Sequence, residues 1–151
     1  MKHPFHLKAV WNDGRNSEGH IEAGGLKTTI SIPQEMGGPG TGTNPDEMLL
    51  GAASTCYLIT LAAMLERAYI TPQHLTLESE AIVDVTNNVF TYERIVHKPL
   101  IVLQADATDA ELTKAERLAH MAEESCMISR AVAGNVLIET RPIIVKEGLI
   151  S

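Results

Sequence analysis

Aromatic side chains are scarce, six in 151 residues, and no two Lys or Arg residues are adjacent. The first shortage leaves no platform for stacking bases, and the second leaves no clustered cations for a phosphate backbone. With 12 Lys and Arg against 19 Asp and Glu, the net charge is −7, and nucleic acid is not expected as a partner. Metal-binding spacings are missing as well. There is no Cys-x-x-Cys and no His-x-x-x-His, and His120 lies six residues before Cys126, which does not put both on one helix face. Neither a metal nor a cofactor is therefore expected. The glycines of residues 37–42 are not followed by Gly-Lys-Ser/Thr, and Ser54 lacks the flanking glycines of a nucleophile elbow, so neither a phosphate loop nor a serine hydrolase is expected. Met1 to Val10 contains no apolar stretch of signal-peptide length, and the expected location is the cytoplasm. There, two cysteines read more readily as reactive thiols than as a permanent bridge.

What remains is 44% hydrophobic and long enough for one soluble domain, residues 1–151, that needs no disulfide to fold. Short strands are predicted over His6 to Trp11, His20 to Ala23 and Leu26 to Ile32, forming a meander, with a glycine-rich loop over Pro33 to Pro45. Asn44-Pro45-Asp46-Glu47 is a helix start: Asn caps, Pro takes the first turn and the acids face the positive dipole end. That helix should run to Arg67 or Tyr69, before Pro72. Met48 to Leu65 carries no charge, about 27 Å of helix, enough to span a bilayer. Gly51, Ser54, Thr55 and Thr60 dilute it, and a buried core helix partly covered by a second subunit is the expected alternative. A hairpin over Leu75 to Ala105 turns at Asn87-Asn88, with Pro99 marking a bulge or an edge. Helices over Ala110 to Glu123 and, capped by Ser125, over Cys126 to Ala133 precede a closing strand, Val136 to Val145.

Taken singly, the candidate residues are ambiguous. Cys56 in the middle of an apolar helix is either a small packing residue or a thiol awaiting activation. Cys126, placed in the first turn of a helix, has the positive dipole end to favour its thiolate. Arg15 reads as a solvated arginine of the Asn12-Asp13-Gly14 turn, and Asp46 and Glu47 read as helix-start acids, with Glu47 completing a capping box to Asn44.

Together the segments resemble the OsmC/Ohr family, the osmotically inducible and organic hydroperoxide resistance proteins. The resemblance spans nearly the whole chain. It is carried by Asp13-Gly14-Arg15, Glu35-Met36-Gly37-Gly38, the run from Thr43-Asn44-Pro45-Asp46-Glu47 to Thr55-Cys56-Tyr57, and Ala122-Glu123-Glu124-Ser125-Cys126. It implies an α+β fold, with antiparallel sheets around a long central apolar helix, in an intertwined homodimer. It also implies that Cys56 is the peroxidatic cysteine, Cys126 the resolving one, and Arg15 the guanidinium that stabilises the thiolate. The family's paired glutamate falls on Asp46, one methylene shorter, with Glu47 as its substitute. Met127 stands where the family commonly has proline.

The implied activity is a thiol peroxidase in which Cys56 attacks an organic hydroperoxide, condenses with Cys126, and is recycled by a dithiol of lipoyl type. Two other readings fit the same segments: a non-catalytic module that binds a hydrophobic ligand, and a thiol redox sensor. An approach of Cys126 to Cys56 within bridging distance discriminates against the first.

Overall fold

Antiparallel pairing accounts for the first third of the chain. In the computed structural model, which describes residues 1–148, the residues divide into two compact units, Met1–Met48 and the part from Leu49 onward. The first unit is a three-stranded antiparallel sheet, β1 (Lys8–Trp11), β2 (Glu18–Ala23) and β3 (Leu26–Ser31), in that spatial order. Gly24-Gly25 closes the second hairpin, with Gly24 at φ 57° where a side chain would be strained. The expected loop after β3 contains one 3-10 turn, Gln34–Met36, and then folds back along β3: Ser31 N–H donates to Thr43 O at 3.0 Å and the Ser31 hydroxyl to Thr41 O at 2.7 Å. Gly42, at φ 67°, permits this because a Cβ there would run into the Thr29 carbonyl.

Helix α1 (Pro45–Arg67) starts and ends where its residues predict. Asn44 Oδ1 accepts from Glu47 N–H at 2.9 Å, the capping contact expected of Asn. The Glu47 carboxylate departs from the capping-box pattern and accepts instead from the Thr43 hydroxyl at 2.9 Å. Ala53, Tyr57, Leu61 and Leu65, one per turn, are its buried residues. By length and composition α1 could cross a membrane, with a mean hydropathy of 1.8, yet only 22% of that apolar window is buried. The outward stripe carries Gly51, Ala52, Thr55, Ala62 and Ile59, the last 65% exposed.

The second unit is built on a long hairpin, β4 (His74–Thr86) and β5 (Val89–Leu103). Its turn residues Asn87 and Asn88 both take positive φ, 52° and 62°, the backbone that a two-residue hairpin turn demands. The bulge lies between Ile82 and Val83, not at Pro99. Nor is Pro99 on an edge. On its other side β5 pairs with β6 (Leu137–Thr140) through Arg94 to His97 and with β7 (Ile143–Lys146) through Leu100 to Leu103, and Pro99 falls between the two pairings. Its missing N–H thus costs no ladder bond.

Both of these pairings are parallel, so the second sheet is mixed where antiparallel sheets were expected. The cause is the crossover. Helices α2 (Asp109–Ser125) and α3 (Met127–Val132) carry the chain back to the start of β5, and a strand arriving that way must run parallel. The single closing strand expected over Val136 to Val145 is two strands, broken at Arg141-Pro142 where β5 changes partner. Thr108 caps α2 in a full capping box with Glu111. The core joins the α1 stripe to Ile101 and Leu103 of β5 and to Ala115, Leu118, Ala119 and Ala122 of α2.

Candidate active site

The two cysteines, far apart in sequence, meet in the second unit. Both are free thiols, Cys56 half-buried on α1 and Cys126 fully buried at the junction of α2 and α3. Their side chains face each other at hydrogen-bonding range. Cys126 is the residue that ends α2 and caps α3, so the predicted cap, Ser125, is instead the last residue of α2, and Cys126 precedes the first turn of α3. The reason is that the backbone of Cys126 is extended, φ −65° and ψ 127°, which separates the two helices.

The first turn of a helix leaves its N–H groups without intrahelical acceptors. In α3 these donors are divided between the sulfurs: Met127 and Ile128 N–H face Cys56, while Ile128 and Ser129 N–H face Cys126. Burial pushes the Cys56 thiol up. The hydrogen bonds from Cys126, from the two amides and from the Thr60 hydroxyl more than offset it, and its pKa lies below the ordinary thiol value. Thr60 also bonds the Cys56 carbonyl at 2.7 Å, so its proton is shared, whereas the amides have no competing acceptor in their own turn. Met127 matters here, because a proline at that position would have no N–H to offer. Burial and the neighbouring Cys56 sulfur raise the Cys126 thiol. The pair is thus polarised, with the thiolate favoured on Cys56.

Beneath Cys56, Tyr57 is wholly buried, stacks on His97 with ring centroids 4.7 Å apart, and donates its hydroxyl to Ala119 O at 2.8 Å. His97 shares a 2.8 Å hydrogen bond with Ser79 through Nδ1, while Nε2 is buried without a partner. Burial lowers its pKa to about 4 from 6.5. The unfolded state therefore binds an extra proton between those values, so the stabilisation is complete above about pH 6.5 and is lost as pH falls toward about 4, by up to about 3 kcal/mol. Thermal unfolding followed across that window should show the loss, and His97→Phe should remove that part of the slope.

Arg15, Asp46 and Glu47 belong to the first unit. The Arg15 guanidinium is exposed and donates to Asn16 Oδ1 at 2.8 Å and Met36 O at 3.1 Å. Met36 and Asp46 line, with Trp11, Ile30, Ile32 and Pro33, an apolar cavity of about 270 Å³. Three participants were not singled out from the sequence: Thr60, Ser129 and Glu123. Thr60 lies one turn after Cys56, Ser129 one turn after Cys126 and Glu123 one turn before it, a spacing that marks them once the cysteines are known.

An α+β fold with a thiol on a long apolar helix facing a second thiol at a helix junction defines a class of paired-thiol protein. A family model described as OsmC-like protein matches residues 38–141. The Uncharacterized protein YmaD of Bacillus subtilis (strain 168) is 58% identical over 137 residues, 91% of each chain. The chain belongs to the OsmC-like protein family. Among solved structures, the organic hydroperoxide resistance protein OsmC from Legionella pneumophila is 26% identical with a TM-score of 0.72, covering 96% of this chain and 99% of that one. The organic hydroperoxide resistance protein OhrB of Bacillus subtilis shares the fold at 24% identity and a TM-score of 0.64, over 92% and 98% of the two chains.

Proposed function

We propose that the protein is a thiol peroxidase that reduces organic hydroperoxides to alcohols. The observation that carries this reading is the polarised pair: a half-buried thiol of lowered pKa facing a buried thiol of raised pKa. The names of the relatives among organic hydroperoxide resistance proteins support the substrate class. The Cys56 thiolate attacks the peroxide O–O bond, the alkoxide leaves and takes a proton to become the alcohol, and Cys56 retains the other oxygen as a sulfenic acid. Cys126 then condenses with it to a disulfide, releasing water, and a cytoplasmic dithiol of lipoyl type restores both thiols by exchange. Consumption of cumene hydroperoxide by the reduced protein with a dithiol, faster than that of hydrogen peroxide, is the expected result. No consumption above buffer with both thiols confirmed free would move the assignment to a hydrophobic-ligand module.

Arg15 is assigned to the thiolate, oriented by a carboxylate at the start of α1, Asp46 or else Glu47, whose carboxylate also accepts from the Thr43 hydroxyl. Arg15→Ala should leave the fold intact and shift the pH profile of Cys56 alkylation upward; an unchanged profile removes that role. Cys126→Ser should complete one turnover and then stop, leaving a sulfenic acid on Cys56 that dimedone traps. Steady turnover with that variant would refute the two-cysteine cycle.

The working unit is a homodimer, with a second copy covering the outward stripe of α1, where Gly51, Ala52 and Thr55 admit a close backbone approach. We read the two units as one domain, since α1 and the family match both run across the boundary between them.

A further inference from the structure

Once Cys56 carries a sulfenic acid, the Cys126 thiol must lose its proton while fully buried. The junction around it is pinned: Cys126 N–H donates to Glu123 O at 3.2 Å, and Cys126 O accepts from Arg130 N–H at 3.1 Å. Ser129, three residues on and 5% exposed, has its hydroxyl close to both the Cys126 sulfur and the Glu123 carboxyl. That hydroxyl is buried and completes no hydrogen bond in the resting structure, a state it shares with Ser54 and Thr140, but of the three it alone stands beside a thiol and a carboxyl.

We propose that Ser129 and Glu123 form a proton relay that deprotonates Cys126 for disulfide formation, an inference that rests on the peroxidase reading. Cys126–SH and Cys56–SOH become Cys56–S–S–Cys126 and water. The Cys126 sulfur bonds to the Cys56 sulfur as the S–O bond breaks. The thiol proton passes through the Ser129 hydroxyl to Glu123, and returns by the same path to the leaving hydroxide. Ser129 is the side chain next to the reacting sulfur; Glu123 acts through it as a positioning residue and proton store. Burial, and then the charge of Glu124, raise the Glu123 carboxyl above its ordinary range, which suits a group that must take and return a proton. The groups facing this pair are Glu124 on α2, Tyr57 on α1 and Cys126 at the junction; from the strands packed on α2, Lys146 pairs with Asp109 at the helix's other end.

Ellman's reagent tests the relay without peroxide. Cys56 attacks it first, releasing one thionitrobenzoate, and Cys126 then expels a second from the mixed disulfide. Because that leaving group needs no proton, the second phase reads Cys126 deprotonation alone. Glu123→Gln should slow the second phase by about 10²-fold near pH 7 and make it rise about tenfold per pH unit, with the first phase unchanged. Ser129→Ala should behave likewise, Glu123→Asp should recover part of the rate, and wild type should depend weakly on pH. A Glu123→Gln second phase that superposes on wild type at every pH overturns the relay. An intact relay in a protein that consumes no organic hydroperoxide overturns the peroxidase reading instead.

Discussion

Cys56→Ser should reduce organic hydroperoxide consumption to the level of buffer, a loss of at least about 10³-fold, while the midpoint of thermal unfolding stays within a few degrees of wild type. The donors around Cys56 lower the pKa of a thiol whose ordinary value is only a unit or two above neutrality, about 8.5, whereas a serine hydroxyl starts far too high for the same amides to ionise it. The substitution is nearly isosteric and Cys56 is only half-buried, so little packing is at stake. Peroxide consumption measured with dithiol in excess, beside the thermal scan, separates the two effects. Residual activity in the variant would place the nucleophile elsewhere.

Tyr57→Ala should be the most destabilising single change, at about 3–5 kcal/mol, lowering the thermal midpoint by roughly 6–20 °C. The ring is wholly buried in the core, so its removal opens a cavity between α1, β5 and α2 that rigid helices do not collapse to fill. It also strips His97 of its stacking partner and Ala119 O of a donor. Tyr57→Phe keeps the ring and loses only the hydroxyl contact, for about 0.5–1.5 kcal/mol. Equal losses in the two variants would mean that the hydrogen bond, not the ring, carries the effect.

Where local chemistry decided the structure, the sequence was legible. Asn44-Pro45 starts α1, Pro72 follows its end, and Asn87-Asn88 turns the long hairpin, each through a backbone preference that needs no distant partner. The strand directions after α3 were less so. Two helices between β5 and Val136 already imply a parallel return, but the break at Arg141-Pro142 appears only once β5 is seen to change partners there. The site divides the same way. The cysteines stand out as residue types, whereas Ser129 and Glu123 matter because the helix junction at Cys126 brings the Ser129 hydroxyl beside the sulfur and the Glu123 carboxyl beside that hydroxyl. The Glu47 capping box failed because Thr43 offered its carboxylate a hydroxyl one turn away.

The crossover that makes β6 and β7 parallel also sets a timetable. Cys56 and Cys126 are 126 − 56 = 70 residues apart, so at ~5–20 residues per second the first thiol leaves the ribosome about 4–14 s before the second. Throughout that interval neither the amides of Met127 and Ile128 nor the Cys126 thiol exists to lower the pKa of Cys56. The nascent chain therefore carries an ordinary, sluggish thiol, and the reactive one comes into being only after the crossover helices have emerged and folded.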